Sequence, residues 1–346
     1  MDRPVPGTLQ RTLKRVFRRN ESYLFLIVIV FSAVITLINP TFLTLENFFD
    51  LTKSSAGMAI LAMGVLFVLL SGGIDVSFTA IAIAGQYISV NLLMVSGVDN
   101  IGFAFLISCS LGIAMGAVNA FLISLFRLPT LITTLGTLSA FHGAILYFVG
   151  TKAVNTGFLP NCFKVFGLKN ILVLARPDGT NYGVSVFALF VLGVVVLTWV
   201  ILRFTILGRG IYAIGGNREA AERSGFNIIG VQFFIYCFVG FLAGIMGVMH
   251  VSTIRYSNPN YIVGDELAVI AAVVLGGARI TGGSGTILGT LLGVAMINIL
   301  KKNLIMIGLS SYWEQFFIGL IIIVGVSFTY YQNKVRSSQR LIFIRE

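Results

Sequence analysis

Apolar residues run along this chain in blocks of about 18 to 25, with isolated polar residues inside the blocks and charged or glycine-rich clusters between them. A helix rises about 1.5 Å per residue, so blocks of this length cross a hydrocarbon core of about 30 Å. Ten spans are expected, at roughly 23–38, 54–71, 76–95, 101–126, 130–149, 184–202, 229–251, 266–279, 285–300 and 312–331. The blocks lack period-two alternation, so a β-barrel fits poorly. The expected fold is an all-α integral membrane bundle, one transmembrane domain over residues 1–346. The first block ends in Asn39-Pro40 with no small-x-small cleavage site, which favours an uncleaved first span over a signal peptide.

Composition agrees: 57% of residues are hydrophobic, 11% are charged and the mean hydropathy is +0.94, far from a soluble domain. The net charge of +11 does not mark a nucleic-acid surface, because the basic residues flank apolar spans and are not interleaved with aromatic ones. Arg3, Arg11, Lys14, Arg15, Arg18 and Arg19 precede the first span, and Lys334, Arg336, Arg340 and Arg345 follow the last. By the positive-inside rule, the 1–22 segment and the 332–346 tail are cytoplasmic, as an even number of spans requires. Arg127, Arg203, Arg209, Arg218, Arg223 and Arg279 then fall on the same side, which collects 16 of the 24 basic residues. The longest external loop, 150–183, with Asn155, Pro160, Asn161 and Asp178-Gly179-Thr180-Asn181, reads either as a contact surface for an extracytoplasmic partner or as a connector with a short hairpin or a partly buried helix.

Two interruptions combine paired glycines with polar residues. In Leu70-Ser71-Gly72-Gly73-Ile74-Asp75-Val76-Ser77, each glycine costs a helix about 1 kcal/mol and a carboxylate at membrane depth about 3 kcal/mol. This stretch is either irregular backbone facing protein or a watered cavity, or a tight turn in which Asp75 caps the next helix. A second break, Leu275 to Gly285, has the same orientation and raises a weak internal repeat. Its Gly-x-Gly lacks the βαβ context of a dinucleotide fingerprint. Gly285, Gly289 and Gly293, like Gly112 with Gly116 and Gly240 with Gly244, form smooth faces for close helix packing.

Polar residues inside spans are few: Gln86, Asn91, Asn119, Thr133, Thr134, His142 and Asn298. Those sharing a common axis would line a path for a polar, uncharged solute, and interhelical hydrogen bonding is the plainer role for any one of them. The expected path residues are Gly72, Gly73, Asp75, Ser77, Asn119, Thr133 and Thr134. Cys109, Cys162 and Cys237 show no C-x-x-C spacing, and neither His142 nor His250 has a ligand partner at i+3 or i+4, so no disulfide or metal site is expected.

The polar stretch 205–227 is too long for a turn between spans and too small for a domain. From Asn217 it reads as a short helix: Asn217 is a good N-cap, Glu219 suits the helix dipole and Gly225 suits a left-handed C-terminal residue. Arg218 with Glu222 and Glu219 with Arg223 are i, i+4 pairs. Gly215-Gly216 is expected to turn the chain away from the bundle, and Ala220 and Ala221 to let the helix enter a partner's groove closely. With no Trp, Phe or Leu anchors, the helix is poorly suited to lying on lipid headgroups.

This stretch, TILGRGIYAIGGNREAAERSG, resembles the cytoplasmic coupling segment of ATP-binding cassette (ABC) importer permeases of the ribose, arabinose, xylose and galactofuranose group. LLSGGIDVS, LPTLITTLGTLSAFHG, VVLGGARITGGSGTILGTLLG and SSYWEQFFIGLIII are similar to segments of that family in the same order, so the resemblance extends over nearly the whole chain. The chain departs from the family pattern at Thr79, where glycine is frequent, at Ala120, and at His142. The resemblance implies a type II-like bundle in the bacterial inner membrane, paired with a second copy or a paralogue. It also implies a separate ATPase subunit carrying ATP and Mg, and a periplasmic or lipid-anchored sugar-binding protein. The coupling residues it points to are Gly215, Gly216, Asn217, Glu219, Ala220, Ala221, Arg223 and Gly225. No G-x-x-x-x-G-K-[ST] occurs, so the chain binds no nucleotide through a P-loop, and no acid-base or nucleophile cluster marks an enzyme. The alternative reading is a self-contained proton-coupled secondary transporter using Asp75.

Overall fold

The computed structural model describes residues 20–175, 181–306, 313, 315–320 and 323. Helix α1 (Asn20–Ile38) leads into a 3-10 turn at Pro40–Leu43, set by the Asn39 side chain accepting from Thr41 N. Helix α2 (Leu45–Leu70) starts where the Thr44 side chain accepts from Asn47 N. Then come α3 (Phe78–Ser96), α4 (Ile101–Leu125, capped by Asn100), α5 (Thr130–Phe148) and the short α6 (Asn161–Leu168). An antiparallel hairpin follows, β1 (Asn170–Ala175) with β2 (Asn181–Ser185), pairing Val173 with Gly183. The chain continues through α7 (Val186–Phe204), α8 (Ile206–Gly216), α9 (Arg218–Arg223), α10 (Ile228–Ile254), α11 (Glu266–Leu275) and α12 (Ile287–Met306).

Seven helices among the described residues are long and apolar enough to cross a membrane, α1 to α5, α7 and α10. The apolar windows of α2, α3 and α10 are 72%, 72% and 67% buried, whereas those of α1, α4, α5 and α7 are 11–22% buried, so the first three form the middle of the bundle and the others its wall. The wall presents Phe25, Leu106, Phe121, Leu192 and Trp199 outward. Water would reject such a surface, while hydrocarbon is matched to it.

The most extensive helix pairing is α4 against α10. It follows from the small-residue faces: a Cβ on Gly112 or Gly116 would run into the carbonyls of Gly240 and Tyr236, and Ser108 Oγ donates to Gly244 O at 2.7 Å. Gly289 and Gly293 likewise pack on Gly276 and Ala272.

The count of ten spans is not reproduced. Expected span 266–279 is the ten-residue α11, too short to cross, because the chain breaks at Gly276-Gly277. Span 285–300 is α12, extending to 306, and span 54–71 begins nine residues earlier, at Leu45. Most of span 312–331 lies outside the described residues, as do residues 1–19, the 332–346 tail and Asp178-Gly179-Thr180 of the 150–183 loop. That loop contains both structures of its connector reading, helix α6 and the hairpin. The hairpin end of the bundle and the α9 end are joined by α7, nineteen residues long.

Candidate translocation and coupling sites

After Leu70 the chain takes a left-handed turn at Gly72 (φ 82°), a conformation that favours glycine, and runs unwound to Ser77. The unwound backbone is held from α5 by hydroxyls: Thr130 Oγ1 accepts from Ile74 N at 3.0 Å, and Thr134 Oγ1 accepts from Val76 N at 3.3 Å while donating to Ile74 O at 3.3 Å. Asp75 is 1% exposed, and its Oδ1 accepts from Ser77 N and Ser77 Oγ, both at 2.7 Å. Asn119 Nδ2 of α4 donates to Ser77 Oγ at 2.7 Å. Asp75, Ser77, Asn119 and Thr134 thus form one buried network, and Gly73 lies beside it against Thr130 and Tyr236. Thr133 does not join, since its hydroxyl donates back to Pro129 O.

Two buried oxygens, Asp75 Oδ2 and Asn119 Oδ1, have no hydrogen-bond partner among the described residues. Asp75 is not the N-cap of α3: Ser77 holds that position, without a side-chain cap bond, and the Asp75 carboxylate closes an Asx-type turn ahead of it.

The second break meets the first. Gly283 N donates to Leu70 O at 2.9 Å, and Gly72 packs on Thr281 O. Gly215 of α8 sits on this junction: a Cβ there would overlap Leu70 O and Gly283 N, and one on Gly282 would approach Gly215 O within 2.7 Å. Tyr212 OH adds a bond to Gly285 O at 3.3 Å. Burial raises the Tyr212 phenol above its usual pKa, which keeps it a donor at neutral pH.

Gly215-Gly216 therefore does not turn the chain, as expected from sequence. Both residues are helical, because Gly215 is needed for close approach. The reversal falls at Asn217 (φ −160°), whose side chain accepts from Ala220 N at 3.0 Å and caps α9. Gly225, at φ 85°, ends the turn after α9, and Asn227 then caps α10. Arg218, Glu219, Ala220, Glu222 and Arg223 are exposed. Ala221 is 3% exposed and packs into the chain's own core, so Ala220 alone of the alanine pair can meet a partner.

The structure also assembles groups outside the expected path and coupling residues. Glu266, buried at the start of α11, accepts from Thr79 Oγ1 of α3 at 2.5 Å and from Gly264 N at 2.9 Å. The Thr79 departure from the family pattern thus has a structural partner. The non-helical stretch before Glu266 is bonded to two helices: Gln86 Nε2 of α3 donates to Asn258 O, and His142 Nε2 of α5 meets Pro259 O at 3.1 Å, while Gln86 Oε1 is held in turn by His250 Nδ1 of α10 at 3.0 Å. Beside it lies a cavity of about 290 Å³ whose polar lining includes Lys53, His250, Asp265, Asn298 and Lys301. The density of Tyr, Asn, Pro and Gly over 256–264 was the available signal, and it reads equally as an ordinary loop. Asn91 Nδ2 bonds the Tyr87 carbonyl of its own helix in place of the interhelical bond expected, and Asn298 Nδ2 donates to Val294 O of its own helix and to Met58 Sδ of α2 at 3.2 Å.

A bundle of apolar helices, two of whose interruptions meet under a short exposed helix, is the architecture of a multi-pass membrane permease subunit. The chain belongs to the family described as the branched-chain amino acid transport system / permease component, which matches residues 47–326. It is 32% identical to the ribose import permease protein RbsC of Escherichia coli K12 over 308 residues, covering 88% of this chain and 92% of that one. Identity to the ribose import permease protein RbsC of Bacillus subtilis is 34%, over 88% and 89% of the two chains. The galactose/methyl galactoside import permease protein MglC of Escherichia coli K12 is 30% identical over 89% and 93%. No solved structure matches the chain. These similarities put it in the simple-sugar group of ABC importer permeases, as a multi-pass inner-membrane subunit that is not itself an enzyme.

Proposed function

We propose that this chain carries a monosaccharide, or a related small polyol or furanosyl solute, into the cytoplasm as the membrane half of an ATP-driven importer. ATP and Mg bind a separate ATPase subunit at α9, a second copy or a paralogue completes the membrane dimer, and a binding protein delivers solute at the hairpin end. Both termini are cytoplasmic in this arrangement.

The observation that carries the reading is the path from α9 into the bundle. The exposed α9 is joined through one residue, Asn217, to α8, and Gly215 of α8 touches the backbone of both breaks. Packed interfaces switch between discrete arrangements and do not deform continuously, so displacement of α8 by an ATPase moves the ends of α2 and α11 together. ATP-driven approach of the two ATPases would then bias the bundle between inward and outward access, the ligand acting by its unequal affinity for the two states.

The test is co-purification with the cognate ATPase. Glu219→Arg with Arg223→Glu and Ala220→Trp should abolish ATPase association while membrane insertion is unchanged. Undiminished association removes the docking role.

A second reading keeps one specific support: Asp75 is buried with one carboxylate oxygen unpartnered, as a proton site would be. Uptake by this chain alone, reconstituted in proteoliposomes under a pH gradient, would establish it and displace the ATP-driven reading.

A further inference from the structure

Residues 255–265 run back into the bundle as non-helical chain. Helix α10 is 27 residues long, about 40 Å, and ends at Ile254 at the hairpin end. Helix α11 then begins at Glu266 and covers only about 15 Å, half of a hydrocarbon core of about 30 Å. Its C-terminal end runs into the break that bonds Leu70 at the α9 end, so Glu266 lies near mid-depth. Lys301 agrees: it lies about 21 Å along α12 from Ile287, which starts from the same break, and it pairs with Asp265 at 3.2 Å. Thr79 and Gly264, both bonded to Glu266, hold the segment at that level.

Non-helical backbone at membrane depth is tolerated only where it is covered by protein or lines water. Here Tyr261 is 57% exposed, Val263 is 42% exposed, and Asn260, Gly264 and Asp265 are exposed too. Lipid cannot face that surface. Its exposed middle is rich in neutral hydrogen-bonding groups: the amides of Asn258 and Asn260, the Tyr256 hydroxyl and the face of the Tyr261 ring. The charges sit at its two ends, Arg255 at the hairpin end and Asp265, paired with Lys301, next to Glu266, while Lys53 Nζ donates to Gly167 O at 2.7 Å. Such a wall suits an uncharged polyhydroxylated solute, whose hydroxyls exchange water for amides and whose C–H face covers an aromatic ring.

We propose that the segment 255–265 is the solute-contacting wall of a water-lined path at mid-membrane, and that the adjoining cavity between α2, α10, α11 and α12 is its vestibule from the hairpin end. The sugar part of this inference rests on the proposed function, while the watered wall does not.

Single-cysteine accessibility in the complete transporter, reconstituted in proteoliposomes after replacement of Cys109, Cys162 and Cys237, tests it. A membrane-impermeant methanethiosulfonate is expected to modify Asn260→Cys, Tyr261→Cys and Val263→Cys at least tenfold faster than Leu106→Cys and Leu192→Cys on the helix wall. Modification of Val263→Cys, a position whose own side chain makes none of the named polar or ring contacts, should lower uptake of ribose or galactose at least tenfold and leave ATP hydrolysis running. Equal rates at the segment and at the wall overturn the proposal, because the segment is then covered. Fast modification with unchanged uptake overturns it as well, since the segment is then wet but off the path. If modification is fast but the unmodified transporter imports neither sugar, the watered wall stands and the sugar reading of the proposed function fails.

Discussion

Two non-helical stretches interrupt this bundle, and they are opposites. Residues 73–77 are closed in: Gly73, Asp75, Val76 and Ser77 are buried, Asp75 and Ser77 to 1% and 0% exposure, and the backbone is bonded to Thr130 and Thr134 of α5. Residues 255–265 are open, with Tyr261, Val263 and Asp265 exposed where a membrane protein cannot show irregular chain to lipid. Glycine pairs and a carboxylate therefore build a packing junction, whereas the open segment presents asparagine, tyrosine and carbonyl groups.

The largest expected effect comes from filling the sealed junction. Gly215→Val drives a side chain into Leu70 O and Gly283 N, and should destabilise the protein by about 3 kcal/mol or more, read as lost folded yield and a lower thermal midpoint in detergent. Gly216→Ala, where a Cβ meets nothing within 4 Å, is its control and should be neutral or slightly stabilising. If both variants behave alike, α8 does not clamp the breaks.

Next come the buried polar groups. Asn119→Ala strands Ser77, and Thr79→Val leaves Glu266 Oε1 with one bond fewer, so each should cost about 1–3 kcal/mol by the same thermal measurement. Tyr261→Ala on the open segment should change stability by about 0.5 kcal/mol or less while lowering uptake sharply. A large stability loss there would erase the contrast between sealed and open.

Asn217→Ala removes the α9 cap, worth about 0.5–2 kcal/mol of local helix stability, and should weaken ATPase binding without moving the global transition. Amide exchange over 218–224 reads this directly.

The smallest expected effect lies at the hairpin end. Burial, with Asp99 adding, pushes the Cys162 thiol up to about 12, so its protonated form persists well above neutral pH. Alkylation at pH 8 should be slow and should accelerate only as pH rises toward that value. Rapid modification at pH 7 would show that α6 opens.

Much of the helical framework was legible because each α-helix in lipid satisfies its own backbone, so a run of apolar residues announces it locally. The glycine faces at Gly112, Gly116, Gly240 and Gly244 were legible for a related reason: small residues at spacing four can serve only close packing. The Asn217 cap and the left-handed Gly225 follow from local backbone preference. Gly215 was misread as a turn because a glycine required by contact and one required by backbone angle look alike in a sequence. The expected span at 312–331 falls mostly outside the described residues, while α11 starts at 266 as expected and is short because the chain breaks at Gly276-Gly277, where Gly276 packs on the backbone of Gly289.

The sequence by itself determined that this is a membrane bundle with an exposed polar element between spans, since hydrophobic block length and capping are properties of neighbouring residues. Only the tertiary structure decided which interruption is closed and which is open. Thr134 meets Val76 across 58 positions and Glu266 meets Thr79 across 187, and whether a polar residue is satisfied or left facing a path depends on those distant partners.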